Sequence, residues 1–160
     1  MVLSQELIDK GFSVSNVNES DFDIYFTIVK ASYEKYVDEY FGGWIDDVQL
    51  KMNRDAFDEA MSQSAFMKIH LHDEIVGNFA FDERDDKIDG IMIQMLEKAQ
   101  NTGFGSFYLE YVTTLANCKS KPVFLKVFKT NPAKELYARH GFVFFDETVS
   151  HFLMRYDPVE

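Results

Sequence analysis

The chain has 160 residues, of which 46% are hydrophobic and 16% aromatic, enough apolar mass for one well-packed domain over 1–160 and too much for a disordered segment. Sixteen Lys and Arg face 27 Asp and Glu, and the resulting net charge of -11 repels phosphate backbones and anionic membranes. This argues against a nucleic-acid or lipid-surface role and leaves room for a cationic partner such as an amine.

In chain order, the N-terminal "MVLSQELIDKGF" lacks a basic region followed by a long apolar run, so a cytoplasmic location is expected. "GFSVSNV" (11–17) alternates as a first strand. Ser20 stands three residues before Asp23, a capping-box spacing, and Phe22, Tyr25, Phe26, Val29, Tyr33, Tyr36, Val37 and Tyr40 follow at helical period. "FGGW" (41–44) ends that helix, and Ile45, Val48, Met52, Ala56, Phe57 and Ala60 mark a second. From Ala65 the period becomes two: a hairpin runs over 65–71 and 75–82, and "IDGIMIQML" (88–96) is a third strand whose near-continuous apolarity suits a buried, central place.

A turn, "QNTGFGS", then opens a helix, "KPVFLKVF" (121–128) is a central strand, and "NPAKELYARHG" (131–141) has Asn at the N-cap, Pro at the start and Gly past the end of a short helix. "FVFFDE" (142–147) and "SHFLMRY" (150–156) form a final hairpin. Cys118, the only cysteine, allows no intrachain disulfide and reads as a core residue of the helix after the turn. The four histidines show no zinc-type spacing, so no metal is expected.

Gly103 and Gly105 sit where glycine costs helix stability. A strand, a tight turn and a helix N-terminus gather unpaired backbone N–H groups and the positive end of a dipole at one point, which suits a phosphate or diphosphate. Side chains at both glycines would block its approach. A dinucleotide fingerprint needs glycine where Tyr108 stands, and a P-loop needs Gly-Lys-Ser/Thr where the chain has Gly105, Ser106 and Phe107.

The order Gln-x-x-Gly-x-Gly, helix, strand and "NPAKELYARHGF", with Tyr137 four residues before Gly141, resembles the GNAT superfamily of acetyl-coenzyme A-dependent N-acetyltransferases. The resemblance is good over 65–156 and is one of layout only before that. It implies an α/β (α+β) fold with a mixed, mostly antiparallel sheet of six to seven strands flanked by about four helices. It implies acetyl-CoA as cosubstrate without a metal, a small amine as acceptor, and allows a homodimer. Peptide or protein N-acetylation, or a coenzyme A-binding module without catalysis, are the alternatives.

The resemblance assigns the diphosphate to the amides of Asn101, Thr102, Gly103, Phe104, Gly105 and Ser106, and the pantetheine arm to the edge formed by Ile93, Gln94 and Met95. Tyr137 matches the family's general acid for the leaving thiolate, and Asn131 its coenzyme-contacting asparagine, although plain N-capping serves Asn131 equally well. The base stays open among Asp89, Glu147, His151 and water. Glu34, Asp38, Glu39 and Trp44 either hold a cationic amine or form a solvated helix face.

Overall fold

A computed structural model of the chain describes residues 1–159; Glu160, the end of the expected domain, lies outside the described residues. Seven strands form one open sheet: β1 (Phe12–Asn16), β2 (Ala65–Leu71), β3 (Glu74–Glu83), β4 (Ile88–Met95), β5 (Val123–Phe128), β6 (Val143–Glu147) and β7 (His151–Tyr156). Their order is β1-β2-β3-β4-β5-β7-β6, and every neighbouring pair is antiparallel except β4 and β5. Five α-helices cover it: α1 (Gln5–Asp9), α2 (Phe22–Phe41), α3 (Asp46–Ala60), α4 (Phe104–Lys119) and α5 (Ala133–Arg139).

The helices divide between the two faces as their apolar stripes require. On one face α2 and α3 bring Tyr25 and Phe57 against Phe66 of β2, the three rings meeting edge-on at centroid distances of 5.2 to 5.8 Å. On the other face α4 buries Phe104, Tyr108, Leu109, Val112 and Ala116 against Phe79, Val123 and Met154, with α1 and α5 packed beside it.

One helix is added to the expected elements and two local expectations change. The short α1, held by Ser4 Oγ accepting from the Leu7 amide, has a single buried side chain and is too brief to show a helical period. The capping box ahead of α2 is formed by Asn18 and Asp21, not Ser20 and Asp23, and it caps a 3₁₀ turn; α2 itself starts without a side-chain cap. A 3₁₀ turn over Glu19–Asp21 precedes the helix, with Asn18 Oδ1 accepting from the Ser20 amide and Asp21 Oδ2 from the Asn18 amide. Cys118 is exposed: Val112 and Ala116 face the core, and a residue two places beyond Ala116 falls on the opposite side of α4.

β4 carries a bulge. Between the pairs Ala80↔Met92 and Asp82↔Asp89 it sets Gly90 and Ile91 against Phe81 alone, and Gly90 takes φ +62°, a conformation suited to glycine. Tyr108 of α4 fills the interruption. Its hydroxyl donates to the Ala80 carbonyl at 2.7 Å and lies on the Met92 amide, and burial drives its pKa well up. The residue that breaks the dinucleotide fingerprint is thus the plug of the bulge. Tyr108→Phe leaves Ala80 O without its donor and is expected to lower stability by about 1–2 kcal/mol, read as a lower urea midpoint at unchanged m-value.

Candidate active site

β4 and β5 touch only at their starts. Ile88 pairs with Val123, and the Ile88 amide donates to Pro122 O at 2.8 Å; no register pair follows. β4 stays with β3 as far as Gly77↔Met95, while β5 stays with β7 from Val123↔Tyr156 to Phe128↔His151. Each strand is committed to its outer neighbour, so the two diverge and a cleft opens towards Ile93, Gln94 and Met95. β4 is central as expected, but only Ile88 and Gln94 are fully buried on it; its other residues are half-buried, apart from the exposed Gly90 of the bulge.

The turn after β4 stands at the wide end of this cleft. A 3₁₀ turn over Glu97–Ala99 leads to Asn101 at φ +57° and Gly103 at φ +93°. Among the described residues, none of the amides from Asn101 to Ser106 donates to a protein acceptor; Phe107 is the first that does, to Gly103 O at 3.0 Å. The turn is pinned from behind. Gln100 Nε2 donates to Met95 O at 2.9 Å, Thr102 Oγ1 to Ala99 O at 2.8 Å, and Lys10 Nζ to Thr102 O at 2.9 Å.

The two glycines serve different ends. A Cβ on Gly103 would meet nothing within 4 Å, so glycine is needed there for its positive φ. Gly105 has ordinary φ, and its Cβ would stand 3.2 Å from Leu136 Cδ2, so it lets α5 pack closely on the start of α4. This packing gives Gly105 a role of its own beside the expected clearance for an anion. Phe104, fully buried, anchors the first turn of α4.

Tyr137 follows Leu136 on α5, half-buried, its ring edge-on to Phe142 at 6.2 Å. Burial, and then the neighbouring Tyr33 hydroxyl, push its pKa well up. Tyr137 packs with the cluster under α4 and Tyr33 with the cluster under α2, so this influence acts from one face of the sheet to the other. Tyr33 is itself raised by burial, against a hydrogen bond from Gln94 that pulls it down, and Tyr36 raises it further. Phe128, at the end of β5, is ringed by Tyr33, Tyr36, Tyr40, Phe41 and His151.

The candidate bases separate. Asp89 sits at the closed end of the cleft, paired with Arg84 at 2.9 Å and Lys87 at 3.0 Å. Glu147 is exposed and paired with Lys129 at 2.7 Å. His151 alone joins the aromatic wall, 4.1 Å from Phe128 between ring centroids, with Nδ1 at 2.8 Å from Ser150 Oγ; burial and then Lys126 hold its pKa below the ordinary 6.5.

Asn131 Oδ1 accepts from the Ala133 amide at 2.9 Å and so caps α5. Among the acidic candidates, Asp38 accepts from the Trp44 amide at 2.8 Å and Glu39 from Thr130 Oγ1 at 2.8 Å, which ties the end of α2 to the loop after β5. Trp44 donates its indole N–H to Asp46, and Glu34 lies 3.9 Å from Lys30.

One feature carries no periodic signal. Lys68, Asn78 and Gln94 are successive partners across β2, β3 and β4 beneath α2. Lys68 pairs with Asp21 at 2.8 Å, while Asn78 and Gln94 are 3% and 6% exposed and keep side-chain atoms without protein partners. Each such atom costs about 1–3 kcal/mol. The row runs from the Lys68–Asp21 pair to Gln94, which donates a hydrogen bond to Tyr33. A cavity of about 440 Å³ opens elsewhere, beside Met1, Met61, Gln63 and Tyr111, and contains none of the expected site residues.

Among the described residues no three His, Cys, Asp or Glu side chains gather as a ligand set, and no helix is long and apolar enough to cross a membrane. No curated protein matches the sequence significantly. The fold is that of several solved structures. An N-acetyltransferase PaiA from Thermoplasma acidophilum, in complex with coenzyme A, is 15% identical at TM-score 0.69, covering 91% of this chain and 98% of that one. The ribosomal-protein-S18-alanine N-acetyltransferase of Escherichia coli is 13% identical at TM-score 0.66, over 91% and 93%. Arabidopsis thaliana Naa50, bound to the bisubstrate analogue CoA-Ac-MVNAL, is 13% identical at TM-score 0.65, over 91% and 97%. The family model for the acetyltransferase (GNAT) domain matches residues 33–155. With a split sheet, a turn of free amides and this match over most of its length, the chain belongs to the GNAT acetyltransferase family.

Proposed function

We propose that the chain is a single-domain N-acetyltransferase that moves an acetyl group from acetyl-CoA to the amine of a small acceptor. The observation that carries this is the run of six free amides, Asn101 to Ser106, beside a strand edge that its neighbour has left open. Orphan donors at a helix start favour a diphosphate, and an open edge at Ile93, Gln94 and Met95 suits the amide-bearing pantetheine arm. Asn131 remains in the coenzyme set through its position at the start of α5.

In this reading the amine nitrogen attacks the thioester carbon, the C–N bond forms, the C–S bond breaks and the thiolate leaves. Tyr137, whose raised pKa keeps its proton in place, gives that proton to the sulfur. His151, neutral at pH 7 because its pKa is lowered, takes the proton from the nitrogen through Nε2 or a water. The Glu39–Thr130 and Tyr40–Thr130 contacts tie the end of α2 to the loop after β5, and the carboxylates and aromatic rings of that helix end suit a small cationic amine.

Calorimetry with coenzyme A, followed by thiol release from acetyl-CoA with a panel of primary amines and of peptides, tests the proposal. Binding with release driven by small amines supports it; release with peptides alone makes the acceptor a peptide; binding with no release above the blank makes the chain a coenzyme-binding module. No binding ends the proposal.

A further inference from the structure

The family match begins at residue 33, yet one hydrogen bond to the phosphate turn comes from well before it. Lys10 closes α1, which Leu3 and Leu7 anchor in the core, and its ammonium donates to the Thr102 carbonyl at 2.9 Å while pairing with Glu6 at 2.6 Å. We infer that Lys10 is a positioning residue of the coenzyme diphosphate site, supplied by the N-terminal segment; this rests on the coenzyme reading above.

The geometry gives the reason. In a trans peptide the C=O and N–H point in opposite directions, so a Thr102 carbonyl turned to Lys10 turns the Gly103 amide away from Lys10, and that amide has no protein acceptor. Gly103, at φ +93°, has the conformational freedom to let this peptide rotate, and Lys10 removes that freedom. An ammonium on the carbonyl also polarises the peptide, making its N–H a better donor, and puts a positive charge one peptide unit from the anion. Elsewhere the chain has a large excess of acidic groups, and Glu6, itself 76% exposed, is the anion competing for this ammonium. With its side chain 42% exposed, Lys10 adds little to the stability of the free protein. Its effect therefore falls on the ligand.

The test is calorimetric titration of coenzyme A and of 3′-dephospho-coenzyme A into the wild type, Lys10→Met, Lys10→Arg and Glu6→Gln, at about 50 mM and about 500 mM salt, with melting curves of each free protein. Lys10→Met is expected to weaken both ligands about tenfold at low salt and clearly less at high salt, with an unchanged melting curve. Lys10→Arg keeps affinity within about threefold, and Glu6→Gln tightens binding about twofold. Wild-type affinity in Lys10→Met overturns the inference, as does a loss confined to coenzyme A, which would place Lys10 on the 3′-phosphate. A lowered melting temperature with unchanged affinity overturns it too, by showing a structural role. If the wild type binds neither ligand, the coenzyme reading itself falls.

Discussion

Gly103→Val is expected to weaken coenzyme A binding at least about a hundredfold, about 2.8 kcal/mol, while the protein stays folded. Gly103 holds φ +93°, where a β-branched residue is strained by about 1–3 kcal/mol. The chain relieves that strain by rotating into negative φ, which swings the amides of Gly103 and Phe104 off the point on which the turn converges them. Losing even two charge-assisted bonds, each worth about 1.5–3 kcal/mol, accounts for the effect. The fold survives because a Cβ here meets no atom within 4 Å and the core anchor, Phe104, is untouched. Gly103→Asn, better tolerated at positive φ, recovers part of the affinity. Calorimetry beside a melting curve decides: affinity within about threefold of wild type would show that these amides do not hold the ligand.

Tyr137→Phe is expected to lower kcat by about a hundredfold with the affinity for acetyl-CoA unchanged. The substitution keeps the ring that packs on Phe142 and removes only the hydroxyl. The pH dependence adds a sign. A phenol raised by burial and by Tyr33 stays protonated above the ordinary tyrosine value of 10, so the wild-type kcat shows no alkaline fall due to this group up to about pH 9. In the variant the residual rate becomes sensitive to the thiol acidity of the acyl donor, because the thiolate now departs without a proton. Equal kcat in the two proteins would remove Tyr137 from the chemistry and leave it a packing residue.

Gly105→Val separates the two glycines. Its Cβ pushes on Leu136 at 3.2 Å and shifts α5, so the first consequence is expected at Tyr137 and in kcat, before any loss of coenzyme binding. The sequence offers one reason for both residues, since a Gly-x-Gly pattern says where side chains are absent and not what would occupy their place.

Much of the architecture was legible because it rests on local physics. Periods of 3.6 and 2.0 placed α2, α3 and the hairpin of β2 and β3 within a residue or two, and Gly42, Gly103 and Gly141 marked turns that take positive φ. Where several polar residues in succession all suit a cap, as between Asn16 and Asp23, local pattern could not choose, and the 3₁₀ turn at Glu19–Asp21 set the true start. Cys118 was misplaced because its neighbours Val112 and Ala116 show the face of α4 only when the helix is counted through.

Among the candidate site features, the free amides of the turn were legible in the chain, since a helix start leaves donors unpaired and Gly103 offers no side chain to cap them. What only the tertiary structure decided are relations between distant segments. The parting of β4 from β5 depends on which outer neighbour each strand prefers, the influence of Tyr33 on Tyr137 on helices from opposite faces, the row Lys68, Asn78, Gln94 on the register of three strands, and the grip of Lys10 on Thr102 on a contact spanning 92 positions. Periodicity and capping act over a few residues of chain, whereas these contacts are selected by packing of the whole core, so no short stretch of sequence contains them.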